Sequence, residues 1–459
     1  MGVVVVIPAL ISIWYLVHKS HREAFLYVYV TCLLSLPGWC RWVLPGVPDP
    51  TFHEMAIMPI AVAYLVKGRK TWRFSLLDIP VFSLLLVMAY SEYYNAGFKE
   101  AQNLMFDAVC ASLLPYVLAK GIIQPNGLAV PFVRRFVWSL AIVACVVPYE
   151  FRFGLNPYRI VFDRFFPGQG DGWVTTFRYG FVRVAGPYGH AILAGLVFLI
   201  GLILQLWLAG IGAWEPRFRN KFLNLKKPLV LTLALLGTLA ITFTRGPALG
   251  AALAWVVRWV GLNGKPRKRL RILILVAIFI GVPIAIWFLS YISVEPMAKM
   301  TETQQTAVYR KELIDKYEQI ALQHVYLGWG RNGWPKVPGM PSIDNFYLLL
   351  SLMHGLTATA LLIITILVLI VRLYRNAMKY APICPKGHSL SFTLLGIYIG
   401  FSFAIATVYL GDNLIPIFFM MCGFAEGYVV GGGDRTLAAG APVPSEVTSK
   451  EFQFQRVIA

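Results

Sequence analysis

The chain has 459 residues, of which 58% are hydrophobic and only 14% are charged, and its mean hydropathy is positive. This composition excludes an ordinary soluble globular protein. The formal net charge of +19 would also fit nucleic-acid binding, but many basic residues lie in short loops between apolar runs, a distribution typical of integral membrane proteins.

Apolar runs of membrane-spanning length recur along the chain and predict an all-α, polytopic membrane protein with about 12–13 transmembrane helices. Residues 1–432 are expected to form a single integral membrane domain, and residues 433–459 a polar, disordered cytoplasmic tail. The first run lacks a basic start and a small-residue cleavage site, which favours a retained helix over a signal peptide. The predicted spans lie near residues 3–17, 24–43, 54–66, 77–95, 101–120, 133–150, 187–211, 228–244, 247–262, 271–292, 346–371, 391–411 and 413–431.

Basic residues in the short loops predict the orientation of these spans. Because such loops face the cytoplasm, the alternation of spans places two long loops, 151–188 and 293–345, together on the opposite face. The four basic clusters are Lys67, Arg69, Lys70 and Arg73; Arg217, Arg219, Lys221, Lys226 and Lys227; Lys265, Arg267, Lys268, Arg269 and Arg271; and Arg372, Arg375, Lys379 and Lys386.

The second long loop contains a predicted amphipathic helix over residues 305–324, which lies on the membrane surface or caps a cavity. Its apolar residues recur at helical spacing, with charged residues on the other face. They are Val308, Leu313, Ile314, Tyr317, Ile320 and Ala321.

Arg245 is the most informative single residue, because it lies in a tight turn between two apolar runs. An arginine near hydrocarbon is costly and usually has a pairing or ligand role, although an arginine at a helix end can also extend its charged group towards water. Gly246 and Pro247 follow it, and proline is suited to a helix start. The positive end of a helix over 247–262 would then add to Arg245 at one anion site.

Further arginines lie in the two long loops. Arg178 and Arg183 precede a helix entry in the first loop, where structural pairing with a nearby carboxylate is an equal alternative to anion binding. Arg310 lies near the start of the amphipathic helix, and alone it would be an ordinary surface charge. The planar guanidinium fork suits phosphate groups, so these residues are candidates for binding a phosphorylated substrate.

A transferase also needs a group that accepts a proton, and four residues on the same face are candidates: His324, Asp344, His190 and His354. The two histidines within apolar runs, His190 and His354, are more typical of satisfied core residues. The six cysteines show no metal-binding spacing, and no acidic cluster or glycine-rich nucleotide loop is present in the sequence. We therefore expect neither a metal site nor a cofactor.

Three ordered segments resemble motifs of the O-antigen ligase-like superfamily, which contains O-antigen ligases and the polymerases of O-antigen and exopolysaccharide repeat units. Residues 183–190 (RVAGPYGH) are similar to its R-x-x-G-x-F-x-x-P/H-N helix entry, and residues 242–250 (TFTRGPALG) to its T-x-S-R-G-x-x-L-G motif. The third starts at Arg310, continues through LGWG at 327–330, and ends with DNFYL at 344–348 in place of the family H-N-x-Y-L.

The resemblance implies a GT-C-like membrane fold in a bacterial inner membrane, with the active site on the periplasmic face. It implies that Arg245 and Arg310 bind the diphosphate of an undecaprenyl-diphosphate-linked glycan. The family histidine thought to activate the acceptor hydroxyl is replaced here by Asp344, so either Asp344 or His324 would supply the base. Since this histidine is best established in the ligases, its loss favours a polymerase.

The sequence thus predicts an inverting, metal-independent glycan polymerase that transfers a polyprenyl-diphosphate-linked oligosaccharide or polysaccharide to a sugar hydroxyl. An alternative within the class is a ligase that transfers the glycan to lipid A core or to a protein. An alternative from another class is a transporter or flippase of the lipid-linked sugar, although the chain shows no repeated halves and its candidate charges lie on one face.

Overall fold

A computed structural model describes residues 2–43, 48–172, 175–217, 225–262, 264–292, 302–340, 342–385, 387–411 and 413–438. Over these residues the protein is mostly helical, with 74% helix and almost no strand. This confirms the all-α class that the apolar runs predict.

The N-terminal part of the chain forms a series of helices, several of which are joined without a loop. A π-helical segment, Ala24–Tyr29, joins α2 to α3, and another, Ala108–Leu113, joins α6 to α7. Such single-turn widenings let a helix continue while its hydrogen-bond register shifts. The helices are α1 (Ile7–His18), α2 (His21–Glu23), α3 (Val30–Ser35), α4 (Phe52–Lys67), α5 (Asp78–Ala96), α6 (Phe98–Asp107), α7 (Leu114–Ile122) and α8 (Ala129–Phe153).

The rest of the chain adds one small hairpin and a second set of helices. Within the described residues the hairpin strands, β1 (Thr176–Arg178) and β2 (Phe181–Arg183), form a two-stranded antiparallel sheet. The helices are α9 (Pro157–Phe162), α10 (Ala191–Gly210), α11 (Lys227–Ile241), α12 (Arg245–Gly261), α13 (Pro266–Val276), α14 (Val282–Ile292), α15 (Glu302–Gln323), α16 (Phe346–Tyr380), α17 (Leu390–Ile405), α18 (Leu414–Val430) and α19 (Gly433–Ala438).

Every predicted span coincides with a helical segment, but the helices differ in length. Four are long and apolar enough to cross a membrane: Phe98–Asn126, Ala129–Phe153, Ala191–Gly210 and Phe346–Tyr380. Four more are apolar but shorter: Gly2–His18, Lys227–Ile241, Leu390–Ile405 and Leu414–Val430. The described residues therefore contain fewer full-length candidates than the expected 12–13.

The centre of the helical bundle is α10, which packs against α8, α11, α12 and α17. Glycines allow α12 and α17 to approach each other at the level of their backbones. A Cβ atom added to Gly250 would lie 2.6 Å from the Gly400 carbonyl oxygen, and one added to Gly400 would overlap the Gly250 carbonyl. Small residues at such crossings are typical of helices that pack through van der Waals contact in membranes.

The long helix α16 is interrupted at Gly355, where φ is 79° and ψ is 170°. The backbone of residues 325–330 fills the break: Trp329 N donates to Leu352 O at 2.8 Å, and Leu356 N donates to Val325 O at 2.7 Å. Gly330 N also donates to Met353 O at 2.8 Å. The segment thus satisfies backbone groups that the interruption leaves without helical partners.

The amphipathic helix predicted over 305–324 is confirmed as α15. Its apolar face packs against the protein itself, since Leu313, Tyr317 and Ala321 are buried together with Met340 and Leu352. This contact places α15 over the start of α16.

The first residues of the expected disordered C-terminal tail are helical. Residues Gly433–Ala438 form α19, and the buried Asp434 carboxylate accepts hydrogen bonds from Leu390 N at 3.1 Å and from the Tyr428 hydroxyl at 2.7 Å. Asp434 therefore attaches this segment to the start of α17. The remainder of the predicted tail, 439–459, lies outside the described residues.

Candidate functional site

The β1–β2 hairpin presents two of the predicted arginines. Its turn residues, Tyr179 and Gly180, have φ values of 54° and 77°, a pattern that suits a tight two-residue hairpin turn. Thr176 pairs with Arg183, and Arg178 pairs with Phe181. Because side chains alternate between the faces of a strand, Arg178 and Arg183 lie on the same face of the hairpin.

Both hairpin arginines contact the C-terminal end of α11. Arg178 Nη1 donates to the Phe243 carbonyl at 2.7 Å, and Arg183 Nε donates to the Thr242 carbonyl at 3.4 Å. Carbonyls at a helix end lack partners within the helix, so cationic donors stabilise them. These contacts join the first long loop to the turn that precedes Arg245.

Helix α12 begins at Arg245, two residues before the predicted start at 247, and Pro247 lies in its first turn. The exposed Arg245 side chain donates through Nη2 to the Tyr179 hydroxyl at the tip of the hairpin. The positive end of the α12 dipole and this guanidinium therefore lie together, which favours an anion at this place. Tyr179 was not among the predicted site residues, since an isolated tyrosine in a loop carries no pattern.

Arg310 reaches the same place from α15. Its Nη2 donates to the Thr407 carbonyl at 3.4 Å, and Thr407 also lies against the start of α12, where a Cβ added to Gly246 would be 2.7 Å from the Thr407 hydroxyl oxygen. Burial lowers the pKa of Arg310, the Asp344 carboxylate opposes this, and Arg178 and Arg245 lower the pKa further. The four predicted arginines are thus brought together.

Asp344 adds a carboxylate to this cluster. It interacts electrostatically with Arg310 and with Arg183. Burial and the neighbouring Arg178 lower the pKa of Arg183 to about 10, whereas Asp344 acts in the opposite direction. The Ser342 hydroxyl donates to Asp344 Oδ1 at 2.8 Å and restricts the position of the carboxylate. One half-buried acid therefore lies among several cations.

An apolar cavity of about 610 Å³ opens beside the arginines. Arg178, Tyr179 and Arg245 lie on its wall, while side chains of α10, α11 and α12 form the rest of its lining. An amphiphile with an anionic head and a hydrocarbon chain would fit this combination of a cationic end and an apolar wall. The apolar lining includes Leu202, Ile203, Leu206, Leu236, Leu239, Ala240, Ala248, Ala251, Ala252, Phe243 and Trp255.

His190 also lies at this cluster, although the sequence favours a satisfied core residue at this position. It caps the N-terminus of α10, and its Nδ1 accepts a hydrogen bond from Ile192 N at 3.2 Å. Burial and Arg183 lower the pKa of His190 to about 4, and Asp344 acts in the opposite direction. His190 is therefore neutral near pH 7.

The structure does not bring His324 into the cluster, which corrects its selection as a candidate base. His324 follows the end of α15, about 20 Å along the helix axis from Arg310 at 1.5 Å per residue. It is exposed, and its ring lies 3.8 Å from that of Trp329. His354 is buried in α16, where its Nδ1 lies 3.0 Å from the Ser91 hydroxyl oxygen.

Across the described ranges, no three His, Cys, Asp or Glu side chains form a group that could hold a metal ion. No protein-family model matches the chain, and no curated protein matches it. The cluster of Arg178, Arg183, Arg245, Arg310 and Asp344 beside the apolar cavity is therefore the basis for assigning a function.

Proposed function

We propose that this chain is a polytopic protein of a bacterial inner membrane that polymerises glycan from a polyprenyl-diphosphate-linked donor. The observation that carries the proposal is the position of Arg178 and Arg245 on the wall of an apolar cavity. The diphosphate would bind the guanidiniums, and the first isoprene units would lie along α10, α11 and α12. A phosphorylated prenyl chain needs both kinds of surface in one site.

The membrane location is supported by the outer surface of the helices as well as by their length. Large apolar side chains are exposed on many of them, including Val66 on α4, Leu233 on α11 and Phe279 in the segment joining α13 to α14, at 73%, 57% and 73%. A surface of this kind is unfavourable in water and suited to lipid.

In the proposed reaction, the acceptor hydroxyl attacks the anomeric carbon of the donor sugar with inversion. The new C–O glycosidic bond forms as the bond between the anomeric carbon and the diphosphate oxygen breaks, and polyprenyl diphosphate leaves. Arg245 and Arg310 stabilise the negative charge that develops on the leaving group. Asp344 accepts the proton of the hydroxyl, as the carboxylate that lies among these arginines.

The reaction is tested by supplying purified protein with an undecaprenyl-diphosphate-linked oligosaccharide and separating the products by size. We expect glycans with multiple repeat units and release of undecaprenyl diphosphate. In a strain that lacks the protein, single repeats on the final acceptor are the expected result. Accumulation of polymer on the carrier lipid would instead indicate a ligase, and the absence of any glycan outside the cytoplasm would indicate a flippase.

The proposed orientation is tested separately by labelling cysteines introduced at two exposed positions, Asn332 and Lys268. Asn332 lies in the second long loop and Lys268 in a basic short loop. A membrane-impermeant reagent added to intact spheroplasts should label position 332 alone. Equal labelling at both positions would contradict the topology.

A further inference from the structure

A second cavity, of about 770 Å³, lies far from the arginine cluster and is lined by basic side chains. Its cations come from three separate parts of the chain: Lys70 and Arg73 lie between α4 and α5, Lys120 lies on α7, and Arg435 lies on α19. In the sequence, Lys70 and Arg73 belong to a basic short loop and Arg435 to the predicted tail. The fold brings these residues to one cavity.

This cavity is at the opposite end of the helical bundle from the proposed active site. Thr407, which contacts Arg310, follows the end of α17, and α18 begins shortly afterwards at Leu414. Helix α18 then runs for 17 residues, about 25 Å, to Val430 on the cavity wall. The two cavities therefore lie at opposite ends of the helical bundle.

Among the residues that the structure describes, most of the positive charge in this cavity has no carboxylate partner. Lys120 is the exception, because its Nζ lies 2.6 Å from Asp78 Oδ1 in a buried ion pair. Within the described ranges, Lys70, Arg73 and Arg435 form no ion pair, and no Asp or Glu side chain lines the cavity. The lining therefore carries an excess of three positive charges.

The carboxylates closest in sequence to Arg435 are engaged elsewhere. Asp434 accepts hydrogen bonds from Leu390 N and from Tyr428, and Glu426 Oε1 lies 2.9 Å from Arg372 Nη2. Close packing fixes the walls, since a Cβ added to Gly431 would lie 2.6 Å from Gln124 Cγ. The cations therefore line one cavity in which none of the described carboxylates neutralises Lys70, Arg73 or Arg435.

We propose that this cavity binds a phosphate-bearing ligand at the cytoplasmic face. Two of its unpaired cations are arginines, whose planar fork matches phosphate oxygens, and a basic pocket between membrane helices is suited to a phosphorylated headgroup. The same chemistry is offered by the headgroup of an anionic phospholipid and by a soluble phosphate compound. The site uses none of the residues of the glycan-transfer proposal, and only its cytoplasmic location rests on the orientation proposed above.

The test uses the full chain in lipid nanodiscs and has two arms. In the first, phosphatidylcholine nanodiscs are titrated with inorganic phosphate and pyrophosphate, and binding is followed by calorimetry. In the second, protein extracted from discs with or without phosphatidylglycerol is examined by native mass spectrometry for retained lipid. Saturable binding in the first arm identifies a soluble ligand, and selective retention of phosphatidylglycerol in the second identifies a lipid.

The decisive comparison is between Arg73→Gln/Arg435→Gln and a control, Lys265→Gln/Arg267→Gln, which removes two exposed cations from another basic loop on the same face. We expect binding to weaken about tenfold or more in the first variant and to remain unchanged in the control, because charge-assisted phosphate contacts are strong. Binding by the unaltered protein should also weaken as salt is raised. No saturable binding in either arm, or equal effects of both variants, overturns the proposal.

Discussion

Arg178 donates a hydrogen bond of 2.7 Å to the carbonyl of Phe243, a residue whose φ of 49° turns the chain between α11 and α12. This contact joins the first long loop to the turn before Arg245. The aromatic rings of Phe181 and Phe243 reinforce it, with centroids 5.7 Å apart in a stacked arrangement. The hairpin and the start of α12 therefore form one support for the cationic cluster.

The first prediction concerns the proposed diphosphate ligands. Arg245→Ala and Arg310→Ala should each reduce glycan transfer about 100- to 1,000-fold, since each removes a donor that stabilises the leaving group. Arg→Lys at either position should restore only part of the activity, because an ammonium group cannot make the paired contacts of a guanidinium. The measurement is the rate of undecaprenyl diphosphate release by purified protein.

The matched control is Arg375→Ala, which removes an exposed arginine of α16 outside the cluster. Its activity and expression should be close to those of the unaltered protein. If Arg245→Ala and Arg310→Ala both retain near-normal rates, the diphosphate site is assigned wrongly, and Arg178 and Arg183 become the arginines to test.

The second prediction separates the two residues that the sequence offers as a base. Asp344→Asn keeps the size of the side chain but removes its basicity, and should lower the transfer rate about 100-fold or more. His324→Ala should be nearly silent, because His324 is exposed and distant from Arg310. A large loss in His324→Ala together with an active Asp344→Asn would reverse the assignment.

The third prediction is that transfer does not depend on a divalent metal. Purified protein should work in excess EDTA at close to its normal rate, since the arginines supply the positive charge that a metal would otherwise provide. Loss of activity in chelator, followed by recovery when magnesium is added, would contradict the mechanism.

The fourth prediction follows from the lowered pKa of His190, which is about 4 in the folded protein against an ordinary value of 6.5. The unfolded chain binds more protons between these two values, so stability falls as the pH drops from about 6.5 to 4. His190→Asn keeps a side chain able to cap α10 but removes the titration. The His190→Asn protein should therefore lose less stability than the unaltered protein between pH 6.5 and 4, by at most about 3 kcal/mol in the free energy of unfolding.

Thermal unfolding of the two proteins in detergent, followed across this pH range, measures the difference. Above pH 7 both should show a flat pH dependence from this residue. Identical curves for His190→Asn and the unaltered protein down to pH 4 would show that His190 is not held neutral by its surroundings.

The fifth prediction concerns the crossing of α12 and α17. Gly400→Val should destabilise the protein by about 1–3 kcal/mol or more, because the added side chain would overlap the Gly250 backbone. Gly237→Ala in α11 is the control: a Cβ there meets nothing within 4 Å, and alanine favours a helix. A Gly400→Val protein with an unchanged unfolding temperature would exclude a tight crossing.

The positions of the helices could be predicted because apolar runs determine where helices of this kind form. The alternation of spans predicts that Arg245, Arg310 and Asp344 lie on one face, and the ordered motifs of the resemblance predict that they share a site. His324 illustrates the limit: it lies within the correct loop, yet the straight course of α15 carries it away from Arg310. Sequence separation alone does not reveal that direction.

Long-range ion pairs could not be predicted either. Arg331 Nη1 lies 3.4 Å from Asp107 Oδ2, and its Nε lies 3.4 Å from Glu92 Oε1, so it joins the second long loop to two N-terminal helices. No periodicity or motif relates residues more than 200 positions apart. For the same reason Tyr179 was missed as a site residue, and His190 was judged more typical of the core. The position of each depends on which helix ends the fold brings beside it.

Residues 325–330, which fill the break in α16, precede that helix in the sequence, and this order matters during synthesis. The ribosome synthesises this segment before α16. Helix α5 is synthesised earlier still, and its Ser91 hydroxyl donates to the Leu327 carbonyl at 2.5 Å. Domains assemble from the N-terminal side during translation. When Gly355 emerges, the main chain that completes the broken helix is already available, so the interrupted turn has bonding partners from the start.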